Sequence, residues 1–247
     1  MTNLTTGTKY KFATIKENYE DYSSGRVLYG APGATGFPVR LANEIFQRAI
    51  ARLKNDGVNA PYYIYDPFCG TGYFLTVIGL LHGIAVKNII ASDINKEALV
   101  TANKNLSLLT SKGFENRINE LSHLRDVYHK TSHEEALDSA KRLKGKVPGA
   151  EIKCFEFNIL GNQNLPIRKA SVDLILTDLP YEKLTHWESK QSEINPTQLF
   201  LNNIRSILKP KAIIVISLDK KQKVSYEGYK RVERLRLGKR QIVFLVK

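Results

Sequence analysis

Two glycines and three carboxylates, in a fixed order along the chain, are the residues of this sequence best suited to chemistry. The first group is Asp66-Pro67-Phe68-Cys69-Gly70-Thr71-Gly72, between a short strand-like run and an apolar helical run. Gly70 and Gly72 let the backbone approach a ligand closely, because no Cβ stands in the way. The amides that open the helix beyond them can hold a carboxylate or a phosphate. The second feature is Asp93 in Ala91-Ser92-Asp93, at the tip of the next strand. A carboxylate there can accept hydrogen bonds from both hydroxyls of a ribose. The third is the turn Thr177-Asp178-Leu179-Pro180-Tyr181 after a later strand.

Two cofactors compete for the glycine loop. A dinucleotide site wants G-x-G-x-x-G, and the third glycine position is Leu75. A D-x-x-x-G-x-G loop instead suits S-adenosylmethionine (SAM), whose aminopropyl-carboxyl end carries an ammonium and a carboxylate. Asp66 would organise the loop and face the ammonium, and the loop amides would face the carboxylate. Phe68 and Ile94, beside the loop and beside Asp93, are placed with the same ligand. A tight strand-to-helix turn with no ligand uses the same glycines, so the loop alone does not decide.

The Asp178 turn fits a planar nitrogenous base. Its carboxylate can accept from a ring or exocyclic N–H, or take up the departing proton. Pro180 fixes the turn so that the Leu179 carbonyl faces the same edge, and Tyr181 offers a flat face for a base turned out of its stack. An ordinary Asp-x-Pro turn with a half-buried tyrosine has the same composition. What separates the readings is order: glycine loop, second-strand acid and D-x-P-Y turn follow one another as a methyltransferase sheet requires. Cys69 reads as a small filler and not as a nucleophile.

The elements that must position these groups alternate. Helical spacing runs from Pro38 to Leu53 and stops at Asp56-Gly57. Strands are expected at Tyr62 to Tyr65, Asn88 to Ser92, Ile152 to Phe157, Val172 to Thr177, Ala212 to Ser217 and Gln241 to Val246. Helices are expected after Gly72, from Asn95 to about Leu109, and over Pro196 to Leu208. This predicts an α/β fold: a Rossmann-like, mostly parallel sheet with helices on both faces and an antiparallel edge. The strand before Asp178 should lie beside the first, near the topological switch point. The chain reads as one domain, 1–247, with an irregular Gly- and Pro-rich segment over 1–36 that gates the cofactor or RNA. A polar, partly helical stretch over 110–149 reads as an insertion.

Composition narrows the partners. The 247 residues hold 37 Lys and Arg against 24 Asp and Glu, a formal net charge of +13. Such a surplus attracts polyanions, which makes nucleic acid the leading partner. Lys220, Lys221, Lys223, Lys230, Arg231, Arg234, Arg236, Lys239 and Arg240 crowd the end of the chain, with Tyr226 and Tyr229 among them. With Arg26, Arg40 and Lys183 they form a candidate phosphate-binding surface. His186 and Trp187 either clamp a target base or anchor the loop to the core. The two cysteines, Cys69 and Cys154, have no disulfide or zinc spacing, so no metal is expected. Neither a signal peptide nor a membrane span is evident, which predicts a cytoplasmic protein; a monomer is the expected state, although no residue pattern bears on it.

With these residues in place, the sequence resembles the class I SAM-dependent methyltransferases, and more closely the orthosomycin (avilamycin and evernimicin) resistance rRNA methyltransferases. The match runs through Ala31-Pro32-Gly33, Phe37 to Ala42, Glu44 to Ala49, Asp66 to Leu81, Ile90 to Asp93 and Thr177 to Tyr181. Thr185-His186-Trp187-Glu188 continues it and is its most specific part. The resemblance implies methylation of a guanine nitrogen, N1 or N2, in 23S large-subunit rRNA or the large ribosomal subunit, conferring drug resistance. Asp66, Gly70, Gly72 and Asp93 would then hold SAM, and Asp178 to Tyr181 would face the base. Two positions depart from general methyltransferase patterns: Leu179 replaces a second proline, and Asn158 stands where an Asp often faces the adenine. Methylation of another RNA, of DNA adenine or of a glutamine side chain would use the same loop and turn. An NAD-dependent oxidoreductase and a non-catalytic RNA-binding module are the readings from other classes.

Overall fold

Pro38 sets the backbone for the start of a helix, and Leu41, Ala42, Ile45, Phe46, Ala49 and Leu53 then recur every three or four residues. Their stripe buries one face of α1 (Val39–Asn55) in the core. The computed structural model describes residues 10–34, 36–179, 195–222 and 225–247. After α1 the chain alternates as expected: β1 (Tyr62–Asp66), α2 (Tyr73–His82), β2 (Val86–Asp93) and α3 (Lys96–Ser107). Helix α2 is apolar on every side because every side is covered, Tyr73 to Leu80 all being buried. The Asn95 side chain caps α3 by accepting from the Glu97 and Ala98 amides. Two insertion helices follow, α4 (Ser111–Tyr128) and α5 (Thr131–Lys144), then β3 (Glu151–Glu156), β4 (Val172–Asp178), α6 (Pro196–Ile204), β5 (Leu208–Asp219), β6 (Lys230–Leu237) and β7 (Arg240–Val246).

The seven strands lie in the order β3-β2-β1-β4-β5-β7-β6. The first five are parallel, β7 runs antiparallel to β5, and β6 runs antiparallel to β7. Side chains alternate between two apolar clusters, one on each face. Leu174, Leu176, Ile213 and Val215 join α1, α2 and α3 on one side. Ile175, Ile214, Ile216 and Leu218 join Phe200, Leu201 and Ile204 of α6 on the other. The expected α/β architecture with helices on both faces is therefore present, and β4 lies beside β1 at the switch point.

Three expectations need correction. The helix placed over Pro196 to Leu208 ends at Ile204, and Leu208 already belongs to β5, which runs on to Asp219. Ile207 and Leu208 are apolar enough to extend a helical pattern but are buried as the entry to a strand. The basic tail contains a further strand, β6, whose Val232, Leu235 and Leu237 pack inward while Arg231, Arg234 and Arg236 are exposed. Dense charge hid that period-two pattern. β7 is consequently an interior strand, and β6 forms the edge.

Residues 10–34 and 36–37 have little regular structure beyond one turn at Glu20–Tyr22, yet they are pinned at several points. Buried Glu44 of α1 accepts from the amides of Lys11, Phe12 and Ala13 at 2.6, 2.8 and 2.7 Å. Burial pushes its carboxyl up, but those three amides and Arg48 hold it below the usual range. The insertion supplies the other ties. Arg117 of α4 donates to the Val27 and Arg26 carbonyls and stacks on Tyr29. Arg142 and Lys146, in and just after α5, bind Asp21 and the Tyr22 hydroxyl. Asn105, with no exposed surface, accepts from the Tyr29 amide at 2.7 Å and donates to the carbonyls of Tyr29 and Thr71. One side chain thus joins the N-terminal segment to the glycine loop.

Truncating Asn105 would leave three partly buried backbone groups without their partner, at about 1–3 kcal/mol for each that water does not reach. Asn105→Ala should lower the melting temperature by roughly 5–10 °C, about 2–4 °C per kcal/mol for a domain of this size. It should also expose the segment around Tyr29 to limited proteolysis before the rest of the chain is cut. A melting curve and cleavage pattern like those of the unaltered protein would refute the assignment.

Candidate active site

The parallel strands β1 to β4 end on one side of the sheet, and the loops there close around a cavity of about 320 Å³. That volume lies at the small end of the range for small-molecule sites, about 300–1,000 Å³. Asp66, at the tip of β1, is 2 % exposed. Its Oδ1 accepts from the Thr177 hydroxyl of β4 at 2.7 Å and from the Phe68 amide at 3.1 Å. Burial pushes the Asp66 carboxyl up to about 8, against the pull of those two donors. Asp93, at the tip of β2, accepts from the Gly70 amide at 2.8 Å through Oδ2 and from the Asn95 amide at 2.9 Å through Oδ1. The loop is strung between the two acids.

Gly70 and Gly72 both have positive φ, +52° and +69°, and they serve different ends. Gly70 lines the cavity, and a Cβ there would meet no protein atom within 4 Å. Gly72 is not among the lining residues. A Cβ on it would sit 3.1 Å from the Ala102 Cα, so it is needed for the close approach of α3. Gly70 thus borders the cavity, while the close packing at Gly72 is against α3.

The same cavity gathers Asp66, Phe68, Gly70, Asp93, Ile94, Asn158 and Asp178, seven of the residues singled out by sequence. Phe37, Phe74, Phe157 and Ile159 add to its apolar walls, a role that their sequence context did not single out. Ala34 and Phe37 come from the end of the pinned N-terminal segment. Leu179 is buried in the cluster facing α6, and its amide donates to the Ser217 carbonyl. Pro180, Tyr181, Lys183, His186 and Trp187 lie outside the described residues. Arg40, expected to meet RNA, has its guanidinium engaged with the Ala13 and Thr14 carbonyls and stacked on Tyr10.

Asp178 has a partner that no local motif announces. Arg240, the first residue of β7, forms an ion pair with Asp178 Oδ1 and also reaches the Ser217 hydroxyl. Its guanidinium lies 4.8 Å from the Phe37 ring centroid. Burial raises the Asp178 carboxyl above its ordinary value, and the Arg240 charge opposes that rise. The two cysteines, far apart in sequence, meet beneath the loop. The Cys154 thiol and burial push Cys69 up, which keeps it a thiol and suits a filler better than a nucleophile. Among the described residues no cluster of three His, Cys, Asp or Glu could hold a metal, and no helix is long and apolar enough to cross a membrane.

The lining offers acids and apolar walls suited to SAM. The lining carries three acids, Asp66, Asp93 and Asp178, of which Asp66 keeps its proton near neutrality and Asp178 is paired with Arg240, and no Lys or Arg lines it among the described residues, in a chain whose net charge is +13. A ligand bearing a sulfonium and an ammonium is favoured there, and the pyrophosphate of a dinucleotide is repelled.

Comparison with known proteins agrees with this geometry. A family model described as rRNA methyltransferase AviRa matches residues 8–240. The chain is 38 % identical over 245 residues to the 23S rRNA (guanine(2535)-N(1))-methyltransferase of Streptomyces viridochromogenes, covering 96 % of this chain and 95 % of that one. Two solved structures of the rRNA methyltransferase AviRa from the same organism superpose with TM-scores of 0.84 and 0.81, each at 35 % identity, with 96 % and 95 % of the two chains covered.

The buried Asp66 carboxyl has a measurable consequence. Folding raises its pKa, so between about pH 4 and pH 8 the native state holds a proton that the unfolded chain releases. Stability from this group is therefore lost as pH rises, by up to about 1.4 kcal/mol per pH unit. Urea unfolding at pH 5.5, 6.5 and 7.5 should show the protein losing stability relative to Asp66→Asn as pH increases. Parallel pH profiles for the two proteins would show that Asp66 is ionised throughout.

Proposed function

The chain belongs to the AviRa family of rRNA methyltransferases, and from that premise we propose that it methylates N1 of a guanine in 23S rRNA with SAM as methyl donor. The observation that carries this reading is the anionic cavity itself, in which Asp178 meets the glycine loop and the two strand-tip acids. The N1 position follows the guanine-N1 activity named for the Streptomyces relative. Resistance to avilamycin- or evernimicin-type drugs, action as a cytoplasmic monomer, and gating of the cavity by the segment ending at Phe37 are parts of the same proposal.

Asp66, Phe68, Gly70, Asp93, Ile94 and Asn158 would hold SAM. Asp93 and Asn158 offer oxygens to ribose and adenine, and Asp66 offers a carboxylate to the ammonium. Bound there, SAM supplies a methyl group already activated by its sulfonium. The protein's task is then alignment, worth several kcal/mol in well-oriented reactions. Guanine N1 carries a proton, so forming the N–CH₃ bond as the S–CH₃ bond breaks requires that proton to leave. Asp178 is the acceptor: burial strengthens it as a base, and Arg240 fixes its direction. Pro180 and Tyr181 would shape and stack the base, with Lys183, His186 and Trp187 on the RNA beside it.

Tritiated SAM offered with 23S rRNA, 16S rRNA, tRNA and DNA tests the proposal. Label should enter 23S rRNA alone and stop reverse transcriptase at one guanine, because an N1 methyl replaces the Watson–Crick proton. Transfer to DNA or tRNA in its place would refute the substrate. Asp178→Asn should reduce kcat by about 100-fold or more, the usual loss for a general base. Arg240 acts through Asp178. In Arg240→Gln the Asp178 carboxyl rises further, so the acid limb of the kcat–pH profile should move up by about one unit. Arg240→Lys should restore most of that shift, and an unmoved limb in Arg240→Gln would separate Arg240 from catalysis.

A further inference from the structure

The end of the chain concentrates the positive charge: ten Lys and Arg stand against two Glu from Lys220 to Lys247. The fold sorts these cations into two groups. Arg240 faces Asp178, and Glu233 turns to the opposite face of β6, where Arg48 and Arg52 neutralise it. Arg231, Arg234 and Arg236 pair in register with Leu245, Val243 and Gln241 of β7 and so share the α6 side of the sheet. All three are exposed. Arg234 and Arg236 are two residues apart on one strand face, about 6.7 Å. Arg231 continues the row past a register shift and lies over the Tyr226 ring.

The row leads to the cavity end of the sheet. There the turn after β5 and the turn joining β6 to β7 are tied by the Lys220 amide donating to the Lys239 carbonyl. Gln241 fixes both further by donating to the Asp219 and Gln222 carbonyls. Lys220, Lys221 and Lys239 are exposed on these turns. Ser217, three residues before Lys220, is the register partner of Asp178. None of these six cations is in an ion pair among the described residues, whereas Arg26 is held by Glu20 and Glu135.

We infer that Lys220, Lys221, Lys239, Arg236, Arg234 and Arg231 form a track for an RNA backbone, running from beside Asp178 down the solvent face of β6. This deepens the RNA substrate of the proposed function and rests on that reading. A row of single cations on a strand face, continued by two lysine-bearing turns, matches a chain with one negative charge per nucleotide. The track carries no hydrogen-bond pattern for bases. Its work is to set the register of the RNA, so that the target guanine falls at the cavity.

The test uses full-length protein and a 23S rRNA fragment, with binding followed by fluorescence anisotropy from 50 to 300 mM KCl. In the quadruple variant K220Q/K221Q/R236Q/K239Q, affinity should fall at least about tenfold at 150 mM salt. The log–log salt slope should flatten by about 3, close to 0.7–0.9 for each lost phosphate contact. SAM affinity and melting temperature should not move, because none of the four lines the cavity or the core. A control with four exposed lysines elsewhere, K54Q/K87Q/K112Q/K144Q, should retain affinity within about threefold. Equal losses in variant and control would show diffuse attraction and overturn the track, as would unchanged affinity in the variant or no RNA binding by the unaltered protein. Methyl transfer is scored in the same samples. If the unaltered protein binds through the track but transfers no label, the function reading fails and the track stands.

Discussion

Asp66 lies where the parallel sheet divides, with β2 on one side and β4 on the other, and its carboxyl is almost wholly out of water. Such a group is costly unless donors surround it. The donors it finds are the Thr177 hydroxyl from the neighbouring strand and an amide of its own loop. Asp93 repeats the arrangement from β2 through the Gly70 amide. The glycine loop is thereby fixed before any ligand arrives, and binding need not order it.

Charge is segregated across this molecule. The outside carries a large positive surplus, while the cavity is lined by three acids, one of them paired with Arg240, and by no Lys or Arg among the described residues. RNA and a cationic methyl donor need opposite fields within a short distance, and the fold supplies both. The N-terminal segment separates them in part. It is held by hydrogen bonds and ion pairs to α1, α3, α4 and α5 and by Tyr22, Val27, Leu28 and Phe37 buried in the core, and it ends in residues that wall the cavity. The insertion, which looked from sequence like an elaboration of one βα unit, gives that segment its seat.

The alternating elements and the order of the three acids were legible because they depend on local pattern. Apolar periodicity placed β1, α2 and β4 within a residue or so, and strand tips placed Asp66, Asp93 and Asp178. What stayed hidden depends on distance in sequence. Arg240 meets Asp178 only because β7 returns antiparallel beside β5, and nothing near either residue signals it. Cys69 and Cys154 meet for a similar reason. Gly72 was legible as a required glycine, but its close packing against Ala102 is something no spacing encodes. Strand β6 was obscured because its outward positions are arginines, which read as a charged tail.

That outermost strand has a further consequence for the molecule in a crowded solution. A strand that ends a sheet offers unpaired amides and carbonyls to any similar strand that meets it, and is the usual starting point for edge-to-edge aggregation. Two copies of β6 approaching in this way would bring Arg231, Arg234 and Arg236 of one against those of the other. The repulsion keeps the edge from templating its own kind while leaving it open to a polyanion. Solubility and substrate recruitment are thus served by the same three side chains, and evolution cannot relax one without disturbing the other.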